Sequence, residues 1–199
     1  VSRPVHDATV LRAIAHPVRN RILGELTAAG PMRAADVAQE LGIPANQASF
    51  HLRQLAKYGL VEEDPEAARD KRDRVWRPTS QSGYDVNVSD LEREPGGAAA
   101  ARVFMRSNAA FVHHVVDEAY GERRDPDTHR SSTQQTVRLT KDEAAELAEE
   151  VAALLARWTD RTRGRDGSRR TYLFHSMLLP HPEVPTAEAG DTGEAEDDA

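Results

Sequence analysis

A mainly helical fold with a small amount of β-structure is what this 199-residue sequence predicts, and three observations predict it. Apolar residues recur at three- and four-residue spacing through most of the first 60 positions, and again over 98–120 and 140–161. Two short helical patterns meet at Gly42-Ile43-Pro44, a tight turn. Directly after them, Leu60–Glu63 and Arg74–Arg77 read as a pair of short strands ended by Pro78, with a charged loop between.

The first helix is expected over His6–Ala15, with Val10, Leu11 and Ile14 apolar. His16-Pro17 breaks it, because a residue before proline resists the α region. A second helix opens at Pro17, turns Val18, Ile22, Leu23 and Leu26 inward, and ends near Gly30-Pro31. Arg19 and Arg21 point away from that stripe and are read as solvated. The third helix carries Ala34, Val37, Ala38 and Leu41 on one narrow face. In the fourth, from Pro44 to Tyr58, Ala48, Leu52 and Leu55 cluster on one side at about 100° per residue and leave Asn46, Gln47, Phe50 and Arg53 on the other.

That polar flank suits the DNA major groove. Asn and Gln can pair two-pronged with adenine, Arg with guanine, and an apolar group can touch a thymine methyl. Asn46, Gln47, Phe50 and Arg53 are therefore the expected base-edge contacts; Ser49 at the margin is expected on phosphate, while His51 tilts toward the core. A β-hairpin behind a helix-turn-helix is the winged layout. Its loop and second strand hold Arg69, Lys71, Arg72 and Arg74, expected on backbone or minor groove, although Asp64, Glu66, Asp70 and Asp73 dilute the patch.

Several stretches of these 80 residues resemble the ArsR-type winged helix-turn-helix transcription regulators: LRAIAHPVRNRIL from Leu11, ADVAQELGI from Ala35, ASFHLRQL from Ala48, YGLV from Tyr58 and RVW from Arg74. The resemblance covers roughly residues 6–80. It implies a homodimer on a palindromic double-stranded operator, commonly a repressor released by a metal or other effector. Relatives often carry a second His where this chain has Phe50, so base preference does not carry over at that position.

Residues 81–97 lose helical periodicity and collect turn formers, as a connector does. A long helix is expected over 98–122, where Phe104, Phe111, Val112, Val115 and Val116 form a stripe broad enough to need a partner; in a dimer that partner is the second copy. His113 and Asp117 lie opposite this stripe and read as a solvated pair four residues apart. Some relatives bind metal on such a helix through Asp and His two residues apart, a spacing absent here, so no metal and no cofactor is expected.

Beyond a polar link, 132–180 reads as an α+β unit. Thr133–Leu139 is an expected strand, Thr140-Lys-Asp-Glu a capping box, and the helix behind it carries Ala144, Leu147, Val151, Leu154, Leu155 and Trp158 at helical spacing. Arg170–Leu179 is an expected second strand. Tyr172, Phe174, Met177, Trp158 and Phe104 are candidates for a small-molecule effector pocket, though such clusters are more often plain core. The tail 182–199 is expected to be disordered.

Composition narrows the function classes. Hydrophobic residues make up 39% of the chain, enough for one good core or two small ones. Cysteine is absent, which removes disulfides and thiolate metal sites. No apolar run approaches the roughly 20 residues that span a bilayer, and no signal-peptide pattern is present, so a cytoplasmic protein without membrane contact is expected. Net charge is −7, but residues 1–80 hold 12 Lys+Arg against 10 Asp+Glu, and seven of the acids lie in 183–199. The helix-turn-helix half is thus mildly basic, which suits specific contacts made by two copies better than non-specific attraction.

Phosphate-binding loops, nucleophile elbows and zinc-protease motifs are absent, and no enzyme is predicted. The rival expectation is a winged-helix module that binds another protein, such as a sigma factor, in keeping with the overall acidity.

Overall fold

The computed structural model describes residues 3–4, 8–70, 73–80, 84–85, 88–122, 125–164 and 166–182. The elements run β1 (Arg3–Pro4), α1 (Ala8–Ile14), α2 (Pro17–Ala29), β2 (Met32–Arg33), α3 (Ala34–Leu41), α4 (Ala45–Lys57), β3 (Val61–Glu63), β4 (Val75–Pro78), β5 (Tyr84–Asp85), α5 (Val88–Leu91), α6 (Gly97–Tyr120) and α7 (Lys141–Thr162). The fold is mainly helical with a small three-stranded sheet of order β2-β4-β3, antiparallel throughout.

One core sits in the first 80 residues and is closed by the start of α6. Leu11, Ile22, Leu26, Val37, Leu52 and Leu55 meet there with Met32, Leu60 and Val61, all fully buried, and Ala100 and Ala101 bring α6 against α1. Alanines at that crossing let the helix backbones approach closely, and the Ser107 hydroxyl fixes the approach by donating to the Ala15 carbonyl at 2.5 Å.

The sheet has one strand more than the sequence suggests. Met32 pairs with Trp76 and Arg33 with Val75, so the run into α3 is the third strand of the wing. Two residues are too short a run for a period-2 signal to register. Arg33 then starts α3, where the Asp36 carboxylate accepts from its backbone amide at 3.1 Å and from its guanidinium at 3.2 Å. The connector also contains more than one turn: Tyr84 belongs to β5, pairs with β1, and donates its hydroxyl to the Leu60 carbonyl at 2.6 Å.

Beyond residue 120 the expectations need correction. α7 has its capping box, with the Thr140 amide donating to Glu143 Oε2 at 2.7 Å and the Glu143 amide to Thr140 Oγ1 at 3.2 Å. The runs 133–139 and 170–179, however, form no strands. A strand persists only when its amides and carbonyls find a ladder partner, and the chain does not align these two runs. Arg170 pairs instead with Asp125 at 2.8 Å, and the Tyr172 hydroxyl accepts from the His129 amide at 3.2 Å.

Nor do the aromatic residues of this unit form a core. Trp158, Tyr172, Phe174 and Met177 are all more than half exposed, and Phe104 lies elsewhere, against the winged core. The tail expected to be disordered lies, from residue 183, outside the described residues. Among the described residues no helix is long and apolar enough to cross a membrane, and no cluster of three metal-ligating side chains occurs.

Candidate nucleic-acid interface

The candidate site starts from how α3 ends. Gly42 takes φ 65°, a left-handed conformation that costs a residue without Cβ little, and its amide returns to the carbonyls of Ala38 and Gln39. The chain reverses there, and Pro44 sits at the N-cap of α4, one residue earlier than the first-turn position expected from sequence. Its fixed φ of −59° leads into the helix without needing an amide partner.

α4 then sorts its residues cleanly. Ala48, His51, Leu52 and Leu55 are buried, while Asn46, Gln47, Phe50 and Arg53 are exposed and Ser49 is half-buried at the boundary. Phe50 is 51% exposed, and among the described residues it is the only large hydrophobic side chain before residue 100 left so open. An aromatic ring on the outside of a well-packed domain loses hydrophobic stabilisation unless something covers it. The Asn46 side-chain oxygen accepts from the Gln47 amide at 2.9 Å, which holds the side chain at the helix start and leaves its NH2 group and a second lone pair available. Arg53 forms no ion pair among the described residues.

The wing flanks this helix with a different charge balance. Asp64, nearly buried, accepts from the amides of Glu66 and Ala67 at 3.2 and 3.4 Å and so turns the chain out of β3. Arg74 is 3.5 Å from Glu63, and Arg77 donates to Glu62 at 2.9 Å. Arg69 keeps its guanidinium free of ion pairs among the described residues, while its amide donates to Asp73 at 3.3 Å. Lys71 and Arg72 lie outside the described residues. Arg74 therefore reaches a phosphate only by loosening its hold on Glu63, and Arg69 has no such competition.

Sequence reasoning missed what stands behind α4. His16, on the turn between α1 and α2, places its ring 4.8 Å from that of His51, and His51 meets Phe50 edge-on at 5.4 Å. Arg19, expected in solvent, instead folds inward, with Nη2 donating to the Arg12 carbonyl at 3.4 Å. Burial lowers both imidazoles from their ordinary range; for His51 the neighbouring His16 and then Arg19 push further the same way, and for His16 Arg19 does, partly offset by its own backbone. The only signal in the sequence was His51 on the inward margin of α4. His16 read as a helix breaker within the LRAIAHPVRNRIL stretch, with no contact to α4 implied.

The dimer stripe expected on α6 divides. Phe104 packs against the chain's own core, Val112 and Val115 are half-buried, and Phe111 and Val116 are exposed. Arg21 is not free either: its Nε donates at 2.9 Å to Glu25, which also accepts from the Thr171 hydroxyl at 2.7 Å.

A paired helix-turn-helix whose second helix is buried on one side and open on the other, backed by a three-stranded wing, defines a winged helix-turn-helix domain. Residues 14–64 match the family model described as "Helix-turn-helix domain". No curated protein matches the sequence. Similar solved structures include wild-type apo MarR from E. coli, 17% identical, with 74% of this chain and 88% of that one covered and a TM-score of 0.33. YusO from Bacillus subtilis is 12% identical over 74% of this chain and 79% of its own, TM-score 0.33. The transcriptional regulator Tm0710 from Thermotoga maritima is 14% identical over 76% and 82%, TM-score 0.31. Scores at this level describe a loose overlap only.

Proposed function

We propose that this protein is a sequence-specific, double-stranded DNA-binding transcriptional regulator, a homodimeric repressor of the ArsR type on a palindromic operator. The observation that carries the reading is the outer face of α4: amides, a guanidinium free of ion pairs and an uncovered aromatic ring on a short helix whose other face is locked into the core. Each subunit lays α4 in one major groove, with half-sites about 10 base pairs or a multiple apart. Asn46, Gln47, Phe50 and Arg53 read base edges, and Ser49 with Arg69, Lys71, Arg72 and Arg74 meets the backbone. The protein does this without catalysis of its own.

The second copy is supported by surface. Ten large apolar side chains between Val137 and Leu179 are two-fifths or more exposed. At about 150–250 Å² for each aromatic and somewhat less for each aliphatic, they offer on the order of 1,000 Å². A stable interface takes about 800 Å² from each partner. Residues 183–199 carry seven acids and Val184 as the one large apolar side chain, a composition unlike that surface. The proposed interface also takes in Phe111, Val112, Val115 and Val116 of α6, with Phe104 at the edge, and the C-terminal unit is where a small-molecule effector would act.

The test is selection of duplexes from a random library, followed by titration at several salt concentrations. A steep salt dependence and a palindromic consensus are expected. On the selected duplex Arg53→Ala costs about 1–3 kcal/mol, with a smaller loss on random duplex. Equal losses on both make Arg53 a phosphate contact. No enrichment of any duplex favours the rival reading, a winged-helix module for another regulator.

A further inference from the structure

The reading helix is seated on a joint that its own contacts do not explain. His16 Nδ1, His51 Nδ1 and Arg19 Nε are all shut off from solvent and have no hydrogen-bond partner. The three belong to the α1–α2 turn, to α4 and to α2, so the polar cluster bridges the first half of the domain and the reading helix. Leaving such groups unpaired costs free energy wherever they are buried, and apolar side chains are the ordinary filling of a helix crossing. The turn that carries His16 is in addition held from outside, because the Ser107 hydroxyl of α6 binds the carbonyl of Ala15 next to it.

We propose that His16 is a positioning residue for the DNA-reading helix: the neutral ring pair His16–His51 holds α4 in the pose that brings Asn46, Phe50 and Arg53 to base edges, and protonation of the pair releases it. The inference rests on the DNA-binding reading above and adds its regulation by pH.

The groups around the pair determine the direction. From α2 comes the Arg19 guanidinium, itself disfavoured by burial; from the end of α4 the Tyr58 hydroxyl acts on Arg19; α1 offers the Arg12 carbonyl, already taken by Arg19; and α6 offers the Ser107 hydroxyl, spent on Ala15. No carboxylate acts on either ring among the described residues. An added proton therefore meets a like charge; on His51 it converts an unpaired Nδ1 acceptor into a buried donor with nothing to receive it, and on His16 its own backbone offsets only part of the cost. Movement of α4 away from α2 relieves both. Phe50, edge-on to His51, moves with it.

General attraction to phosphate also rises as histidines charge, on any sequence. The informative quantity is therefore the ratio of affinities for a duplex selected on the wild-type chain and for a random duplex of the same length, measured by fluorescence anisotropy from pH 7.5 to 5.5. The ratio is expected to fall about tenfold or more across that range, as one linked proton allows. His16→Phe keeps a ring against His51 and cannot be protonated. It is expected to retain the wild-type ratio at pH 7.5 and to reduce the acid-side fall to about threefold or less, with only His51 left to titrate.

A wild-type ratio that is flat with pH, or a His16→Phe fall as steep as that of wild type, overturns the proposal. Should His16→Phe fail to fold, NMR titration of the imidazoles in the wild-type chain without DNA decides. Both midpoints are expected below about 6.5 and at the midpoint of the affinity ratio, and a midpoint at or above that value for either ring overturns the proposal. If no duplex is selected at any pH the DNA-binding reading falls, while the imidazole titration still tests the pair.

Discussion

In the winged half, Leu11, Ile22, Leu26, Leu52 and Leu55 are all sealed from solvent, whereas α7 carries Leu147, Val151, Leu154, Leu155 and Trp158 at the same helical spacing and buries none of them. The difference does not lie in helix quality. α7 is better capped than α4: it opens on a reciprocal Thr140–Glu143 box, while α4 starts without any side-chain cap. Local sequence thus makes both sets of helices, and tertiary packing finishes only one. Among the described residues, fifteen of the sixteen large hydrophobic side chains that stand exposed lie beyond residue 100, and the remaining one is Phe50 on the outer face of α4. The molecule therefore presents apolar surface where a second copy is proposed to sit and where DNA is proposed to sit.

The comparison breaks first if the open half is not an interface. Phe174→Asp places a charge in the 170–179 run, which is exposed in the single chain and costs it little there. In the dimer it is desolvated opposite apolar surface, so sedimentation velocity is expected to move the whole population from dimer to monomer at micromolar concentration. Phe111→Asp on α6 gives the same result if the two surfaces are continuous. A dimer that survives Phe174→Asp but not Phe111→Asp confines the interface to α6 and leaves the C-terminal run for another partner.

The next largest effect sharpens the other side. Leu52→Ala removes a fully buried side chain from a core that the single chain closes by itself, and a loss of about 2–5 kcal/mol is expected. Because no second copy completes that core, the drop in Tm should be the same at every protein concentration. The transition of the open half, in contrast, should move upward with concentration, as dimer-linked stability does. A concentration-dependent loss in Leu52→Ala would mean that the winged half is not self-sufficient.

How much of this was legible in the sequence follows the same division. In the winged half the apolar spacing of Ala48, Leu52 and Leu55 fixes which face of α4 goes inward, because the partners are α2 and α3 of the same chain. The exposure of Asn46, Gln47, Phe50 and Arg53 follows from that geometry alone. β2 escaped because two residues carry no period, and Arg19 escaped because a long side chain can turn back over the helix it leaves. In the C-terminal half, Thr133–Leu139 and Arg170–Leu179 carry the β-branched, aromatic and aliphatic residues that strands favour. Such composition records that a segment suits a half-buried pleated surface and not whether a ladder partner exists in the same chain, so the preference was present and the strands were not.

The smallest effect tests the tie between the halves. Glu25 is 2% exposed, and its two carboxylate oxygens are divided between the chains of contact: Oε1 accepts from Arg21 at 2.9 Å within α2, and Oε2 accepts from Thr171 at 2.7 Å across 146 residues of sequence. A buried carboxylate needs donors on both oxygens, and Thr171→Val keeps the shape of the side chain while removing one of them. A loss of about 0.5–1.5 kcal/mol is expected for a hydrogen bond of this kind, with Arg21 retaining the charge partner. Since Thr171 and α7 meet the winged half on α2, hydrogen exchange should quicken in α2 near Glu25 and in the last turn of α7, and stay unchanged in α4. Faster exchange in α4 as well would show that the C-terminal half steadies the reading helix through α2, and would join the two regions that burial keeps apart.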